Sequence, residues 1–139
     1  MTLYNNDILK LATSTANFKR LPDPQASVEK RSPVCGSRVT VDVRLDRLGQ
    51  IDALGLEVRA CALGQASAAL MAANAQGRSV EELDNARDAL AAFLADTRTD
   101  PGGWPGLEIF APAVPHRARH ASILLAFDAV AEAAREAAH

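Results

Sequence analysis

Two cysteines and one histidine are the side chains best suited to chemistry in this sequence. Cys35 is followed by Gly36, whose backbone can turn sharply and leave room around the sulfur atom. Cys61 and His120 stand at the predicted starts of two helices. Thiolate and imidazole groups are ligands that zinc and iron accept. If the three side chains converge, they predict a metal-binding or sulfur-handling site.

The position of Cys61 favours a reactive thiol. The first amides of the helix that follows it have no partner within that helix, and the helix dipole is positive there. Both effects favour the thiolate, which is the form that binds metal or attacks sulfur. Since the chain shows no export signal, we expect its two cysteines to be free, metal-bound or reactive rather than joined in a disulfide.

Plainer roles stay open for each of these residues. Either cysteine alone fits a small buried core residue, and the two are too far apart in sequence, with no CxxC pair, to be a metal signature by spacing. A histidine near a helix start also fits a capping or surface group. Trp104 fits a hydrophobic plug for its loop better than a binding residue. A cysteine hydrolase built on Cys61 and His120 would lack a third group to orient the histidine.

Hydrophobic periodicity predicts that the first half of the chain holds a short amphipathic helix and then three antiparallel strands with one covered face. The signal is clearest over residues 37–45, where valines and a leucine alternate with polar residues. Thr40 and Asp42 are therefore expected on the face away from the core. The helix is predicted over residues 4–15, and the strands over residues 26–31, 37–45 and 51–60.

The second half of the chain is predicted to be helical. An alanine-rich helix over residues 63–76 is expected to end at Gly77, and Ser79 begins a capping box for the next helix. Residues 97–116 contain four prolines and three glycines, so a loop with a short extended piece is predicted there. A last helix is predicted over residues 122–138. Strands followed by helices indicate an α+β fold, with helices on one face of a small sheet in one domain spanning residues 1–139.

Composition excludes several classes of function. The net charge is −2 and no basic run is longer than two residues, which argues against nucleic acid as the main partner. No apolar stretch approaches the roughly 18 residues of a membrane span. The start of the chain lacks the basic head and apolar run of a signal peptide. We therefore expect a cytoplasmic protein with neither a membrane nor a nucleic-acid partner.

Three segments carry a resemblance to a known family. Residues 32–39 (Ser-Pro-Val-Cys-Gly-Ser-Arg-Val) hold the first cysteine, and residues 59–68 (Arg-Ala-Cys-Ala-Leu-Gly-Gln-Ala-Ser-Ala) hold the second. Residues 118–126 (Ala-Arg-His-Ala-Ser-Ile-Leu-Leu-Ala) open the last helix. In this order and spacing they resemble the cysteine segments of the U-type iron–sulfur cluster scaffolds, the IscU, SufU and NifU N-terminal-like proteins. The resemblance covers nearly the whole chain and implies that family's α+β fold.

In this family three cysteines and an aspartate hold zinc or a nascent cluster, and a histidine can join them. The resemblance therefore implies that Cys35, Cys61 and His120 bind a transient iron–sulfur cluster, iron or zinc. It implies a scaffold without enzymatic turnover. It also implies two kinds of partner, a cysteine desulfurase and the apoproteins that accept the cluster.

The chain departs from the family pattern at two ligand positions. Ser37 stands where aspartate is usual. Aligned without a gap, Ser122 takes the place of the third cysteine; with one inserted residue, His120 matches the family's histidine and Ala121 the cysteine. The gapless alignment is preferred because it keeps the flanking residues in register. Since a [2Fe–2S] cluster needs about four protein ligands, three hypotheses stay open: a cluster scaffold, a persulfide-accepting sulfur relay, and a metal-free binding module of the same fold.

Overall fold

A computed structural model describes residues 3–33 and 36–139, and these residues form an α+β fold with one antiparallel sheet in the order β1-β2-β3. The predicted fold class is confirmed. In chain order the elements are α1 (Asn6–Thr13), a 3₁₀ helix (Ser14–Asn17), β1 (Ala26–Arg31), β2 (Arg38–Leu45), β3 (Ile51–Arg59), α2 (Ala62–Asn74), α3 (Val80–Leu94), 3₁₀ helices at Leu107–Ala113 and Arg117–Arg119, and α4 (His120–Ala137).

Helix α4 lies at the centre of the molecule. The alternating pattern of β2 places Val39, Val41 and Val43 on one face of the sheet, where all three are fully buried. Helix α4 packs on β1 and β2, while α2 and α3 pack against the other sides of α4. This double packing explains why α4 is apolar around most of its circumference. None of the helices in the described part of the chain has the length and apolar composition needed to cross a bilayer.

The alternation predicted that the opposite face of the sheet would be exposed to solvent, but another segment of the chain covers it. Thr40 is 8% exposed and Asp42 is fully buried. The coil after the first 3₁₀ helix crosses this face, and Arg20 and the Leu21 amide donate hydrogen bonds to the Asp42 carboxylate. Gly55 leaves room for the coil, because a Cβ atom there would lie 2.4 Å from the Leu21 nitrogen. Thr40 and Asp42 lie on the predicted face, but the expectation of a single covered face was wrong, because alternation within a strand does not show which distant segment covers it.

The start of α3 follows its predicted signal, whereas Gly77 does not cap α2 as predicted, because the C-cap residue is Ala75. Ser79 Oγ accepts the Glu82 amide at 3.1 Å and the Glu82 carboxylate accepts the Ser79 amide at 3.1 Å, so the capping box is present. Helix α2 ends at Asn74, slightly before the predicted boundary. Gly77 follows with φ of +81° and donates its amide to the Ile51 carbonyl, which returns the chain to the edge of β3.

The loop predicted over residues 97–116 contains a 3₁₀ helix and no strand within those residues. Leu107, Phe110 and Ala113 recur every third residue and are all buried, which matches the three residues per turn of a 3₁₀ helix. Pro112 is compatible with this helix because its fixed φ lies in the 3₁₀ range. The prediction of a short extended piece was therefore wrong, because the high proline and glycine content concealed buried residues that recur at every third position.

Candidate functional site

Three elements bring Cys61, Ser122 and Ser37 together. Ser37 precedes β2, Cys61 lies between β3 and α2, and Ser122 is in the first turn of α4. Ser122 Oγ lies 3.3 Å from Cys61 Sγ and 3.2 Å from Ser37 Oγ. Ser122 and Ser37 are buried, whereas Cys61 is half-buried. We call these residues the Cys61–Ser122–Ser37 cluster; Cys61 is its least buried member.

Cys61 is the N-cap residue of α2, as the sequence predicted. Its backbone is extended, and its side chain makes no capping hydrogen bond to the helix. The sulfur atom therefore contacts the Ser122 hydroxyl instead of the helix amides. When Cys61 is a thiolate it has no proton to give, so Ser122 must donate to the sulfur. Ser122 Oγ can then accept the Ser37 hydroxyl, and the two serines form a short hydrogen-bond chain that ends on the sulfur.

The contact between α2 and the start of α4 depends on small residues that the sequence reasoning missed. A Cβ atom at Gly64 would lie 2.7 Å from Ser122 Oγ and 2.8 Å from the Ala60 Cβ atom. Ser67, one turn later, donates its hydroxyl to the Ile123 carbonyl at 2.5 Å. The signal was present in the sequence, because small residues three apart on an alanine-rich helix indicate close helix packing.

The chain that enters β2 makes a tight turn beside this cluster. The Ser32 amide donates to the Ser37 carbonyl at 2.9 Å, and the Gly36 amide donates to the Ser32 carbonyl at 3.0 Å. Gly36 has φ of +72°, a value that glycine adopts without strain, as its predicted role in the turn requires. The Ser32 hydroxyl is buried and has no hydrogen-bond partner among the residues that the structure describes. Cys35 lies outside the described residues, so its convergence with Cys61 stays a prediction.

His120 is the first residue of α4, and its ring is held by the C-terminal end of the 3₁₀ helix Leu107–Ala113. Nε2 lies 2.9 Å from the Ala113 carbonyl oxygen and 3.1 Å from the Val114 carbonyl oxygen. Because both partners are acceptors, Nε2 carries a proton and donates to them. Nδ1 is then the ring atom that a metal could use. The structure shows His120 fastening the 3₁₀ helix to α4, and its predicted role as a ligand stays a prediction.

The donor set of the described site is poor in metal ligands. Within residues 3–33 and 36–139, no three His, Cys, Asp or Glu side chains are grouped so that they could hold a metal ion. The cluster offers one thiol and two hydroxyls, and a neutral hydroxyl is a poor match for zinc or iron beside thiolate and imidazole. Any metal held here would need Cys35 as a second sulfur ligand. Ser122, and not Ala121, contacts Cys61, as the gapless alignment requires.

Comparison with known proteins identifies the family. No family model matches the chain, and no curated protein matches it. The chain is 39% identical to a nitrogen-fixing NifU-like protein (N-terminal) from Brucella abortus whose crystal structure is known. The match covers 98% of this chain and 94% of that chain, with a TM-score of 0.90. The chain therefore belongs to the NifU-like N-terminal family, and the resemblance found in its sequence is confirmed.

Two further solved structures share the fold at lower identity. One is a putative iron–sulfur cluster assembly scaffold protein for the SUF system from Fervidobacterium islandicum AW-1, which is 18% identical over 95% of this chain and 96% of that chain, with a TM-score of 0.87. The other is a hypothetical protein, 20% identical over 95% of this chain and 99% of that chain, with a TM-score of 0.78. At these identities the likeness shows a common fold.

Proposed function

We propose that this protein is a scaffold or carrier in iron–sulfur cluster assembly that holds iron or a nascent cluster through Cys61 and Cys35. The observation that carries the proposal is the half-buried Cys61 sulfur, placed at a helix start and contacted by Ser122, in a chain of the NifU-like family. The SUF-system scaffold that shares the fold supports the same reading.

The cluster residues have distinct tasks in this proposal. Cys61 binds the iron, and the Ser122 hydroxyl fixes the direction of the sulfur lone pairs by donating to the sulfur. Ser37 in turn holds Ser122 in place. Hydrogen bonds to the sulfur ligands tune the stability and potential of iron–sulfur clusters. His120 is a further ligand through Nδ1, while Nε2 stays on the backbone carbonyls.

The proposed role is that of a protein that receives and passes on its cargo, without turnover of its own. A cysteine desulfurase supplies sulfur, and apoproteins accept the finished cluster. The cytoplasm is the proposed location of this work.

Anaerobic reconstitution with ferrous iron and sulfide tests the proposal. We expect the wild-type protein to develop visible charge-transfer absorption and to retain iron and acid-labile sulfide after gel filtration. The Cys35→Ser/Cys61→Ser variant should lose both. Ser14→Ala, which changes a hydroxyl outside the cluster that bonds only to the Leu11 carbonyl among the described residues, is the control and should behave as wild type. A colourless wild-type product would contradict cluster assembly.

A sulfur relay is the second candidate, because the described cluster holds one thiol rather than a set of metal ligands. In this reaction the Cys61 thiolate attacks the outer sulfur of a persulfide on the desulfurase. The S–S bond of that persulfide breaks, Cys61 becomes the persulfide, and the desulfurase cysteine leaves as a thiolate. Mass spectrometry after incubation with a desulfurase and cysteine should show one added sulfur on Cys61, abolished by Cys61→Ser and retained by Cys35→Ser. An unmodified protein would remove this candidate.

A metal-free binding module is the third reading of the same donor set. Metal analysis of protein purified without oxygen separates it from the other two. Stoichiometric iron or zinc in the fresh protein would exclude it.

A further inference from the structure

The strand register places three arginines side by side across the whole sheet. Arg31 of β1 is directly opposite Arg38 of β2, which is directly opposite Arg59 of β3. Directly opposite residues point to the same face of a sheet, and neighbouring strands are about 4.8 Å apart, so the three side chains start from a line roughly 10 Å long. We call these residues the arginine row. The sequence does not show it, since the three arginines belong to separate strands.

The arginine row borders the candidate site. It is the last paired level of the sheet before the turn that contains Ser32 and Ser37, and Arg59 stands two residues before Cys61. Two more exposed arginines, Arg117 and Arg119, precede Ser122 at the start of α4. The row lies on the sheet face opposite to α4, the face of Thr40 and Asp42, and at the same end of the sheet as the Cys61–Ser122 contact.

The fold neutralises this charge only in part. Glu29 is shared by two members of the row, with Arg31 Nε at 2.8 Å and Arg38 Nε at 3.7 Å from its carboxylate oxygens. Arg59 makes no ion pair with the described residues. Like charges directly opposite each other on a sheet are destabilising, and this chain has a net charge of −2. Glu57, opposite Thr40 at the next level of the same face, is a second carboxylate beside the row, so three arginines stand against two glutamates and an excess of positive charge remains.

We propose that Arg31, Arg38 and Arg59 form a docking surface for a carboxylate-rich segment of a partner protein. The proposal rests on the function proposed above, because that function defines what the partner does. The partner brings sulfur to Cys61 or takes the cluster from it. A guanidinium binds a carboxylate with two parallel hydrogen bonds. In an extended peptide every second side chain points the same way, about 7 Å apart, so a line of guanidinium groups roughly 10 Å long can bind two alternate acidic side chains, whereas one small anion would contact only a part of it.

Binding of a fluorescently labelled oligoglutamate peptide, followed by anisotropy at low ionic strength, tests the docking surface. We expect the wild-type protein to bind the peptide and Arg38→Gln/Arg59→Gln to bind it about tenfold more weakly, the loss of roughly one charge-assisted hydrogen-bonded pair. Arg44→Gln/Arg87→Gln is the matched control, because it removes the same charge elsewhere, Arg44 being at the other end of β2. The control should bind nearly as well as wild type.

Three results would overturn the docking surface. These are no peptide binding by the wild type, an equal loss in the control variant, and tighter binding of an oligothymidylate or of sulfate than of the peptide. The last result would assign the row to a nucleic acid or a small anion.

A second measurement separates recognition from a structural role: Arg59→Thr should raise Tm by about 1–3 °C by relieving repulsion. A fall in Tm would show that Arg59 supports the fold instead.

The arginine variants also distinguish this proposal from the proposed function. Reconstitution with iron and sulfide uses the isolated protein, so Arg38→Gln/Arg59→Gln should assemble as much cluster as wild type. Failed reconstitution in the wild type together with retained peptide binding would reject the scaffold and keep the docking surface. Normal reconstitution of a wild-type protein that does not bind the peptide would keep the scaffold and reject the docking surface.

Discussion

The sulfur atom of Cys61 lies 3.3 Å from a serine hydroxyl at the position where the resemblance places a third cysteine. Ser37, at the position of the family's aspartate, lies 3.2 Å from the same hydroxyl. At the residue scale, the Ser122 hydroxyl therefore lies between the Ser37 hydroxyl and the Cys61 sulfur, and it joins the two positions at which the chain departs from the family pattern.

Restoring those two side chains should restore strong metal binding. We expect Ser37→Asp/Ser122→Cys to bind zinc more than roughly 100-fold more tightly than wild type, because even outer-shell partners change metal affinity 10–100-fold and these would be direct ligands. Competition with a chromophoric chelator measures the affinity. Thr13→Cys, which adds a thiol at the exposed end of α1, is the control. Equal gains in the two variants would contradict the arrangement described here.

Helices α2 and α4 approach most closely where they form the site. Gly64 leaves the space that Ser122 occupies, and the Ser67 hydroxyl holds the Ile123 carbonyl. At the scale of elements, the position of the Cys61–Ser122 contact is therefore set by one missing Cβ atom and one buried hydrogen bond.

Gly64→Ala should disturb both the fold and the site. The added Cβ atom would sit 2.7 Å from Ser122 Oγ, and overpacking of this kind typically costs about 1–3 kcal/mol of unfolding free energy. Gly103→Ala is the matched control, because a Cβ atom there meets nothing within 4 Å. Urea unfolding of the two variants measures the difference. A Gly64→Ala variant as stable as Gly103→Ala would show that α4 shifts without cost.

The covered polar face of the sheet depends on Asp42. Arg20 binds its carboxylate through two nitrogen atoms at 2.7 and 3.0 Å, and Ser27 Oγ lies 2.6 Å away. Burial alone would raise the pKa of Asp42, but the hydrogen bonds from Arg20, Ser27 and the Leu21 amide outweigh burial and lower it. Asp42 therefore joins the coil after α1 to the sheet as an ionised group.

Asp42→Asn should lower the unfolding free energy near neutral pH by about 2–4 kcal/mol, because it leaves the Arg20 charge without its partner. A lowered folded pKa means that the contribution is present above the unfolded pKa of about 3.9 and is lost as pH falls through the folded value. Wild type and variant should thus become similar in stability in acid below that range. Chemical unfolding at several pH values measures this. Asp23→Asn, at a 96% exposed side chain, is the control and should change stability by less than about 0.5 kcal/mol.

At the scale of the whole molecule, Trp104 ties the long loop to the helices, as its predicted role of hydrophobic plug requires. Its indole nitrogen donates to the Leu70 carbonyl at 3.0 Å, and its ring packs edge-on against Phe127 with centroids 5.3 Å apart. The Arg78 guanidinium lies 4.7 Å above the ring. One side chain thereby joins α2, α4 and the segment that precedes the second 3₁₀ helix.

Trp104→Ala should cost about 3–5 kcal/mol, the usual cost of removing a large buried aromatic side chain. Trp104→Phe should cost less, because the ring packing is kept and only the hydrogen bond to Leu70 is lost. Thermal unfolding followed by circular dichroism measures both. Since Trp104 is the single tryptophan of the chain, its wild-type fluorescence should shift to longer wavelength in the same transition. An earlier shift would show that the loop detaches before the core unfolds.

Local sequence patterns predicted where most helices and strands lie, but not which segments cover their outer faces. The alternation in β2 and the capping box at Ser79 act within a few residues, so the sequence displays them directly. The burial of Asp42 and the period of three from Leu107 to Ala113 depend on segments that pack from elsewhere or on an unusual helix type. The site shows the same division: the N-cap position of Cys61 was predictable, whereas its contact with Ser122 joins residues from different parts of the chain.

The sequence by itself determined the order of strands and helices, the helix start at Cys61 and the family to which the segments around Cys61 belong. Each of these follows from interactions between near neighbours or from the order of motifs along the chain. Only the tertiary structure decided that the Ser122 hydroxyl lies within hydrogen-bond distance of both the Cys61 sulfur and the Ser37 hydroxyl, that Gly64 makes room for Ser122, and that three arginines form one row. These contacts depend on strand register and helix packing, which the folded chain fixes through the burial of its core as a whole.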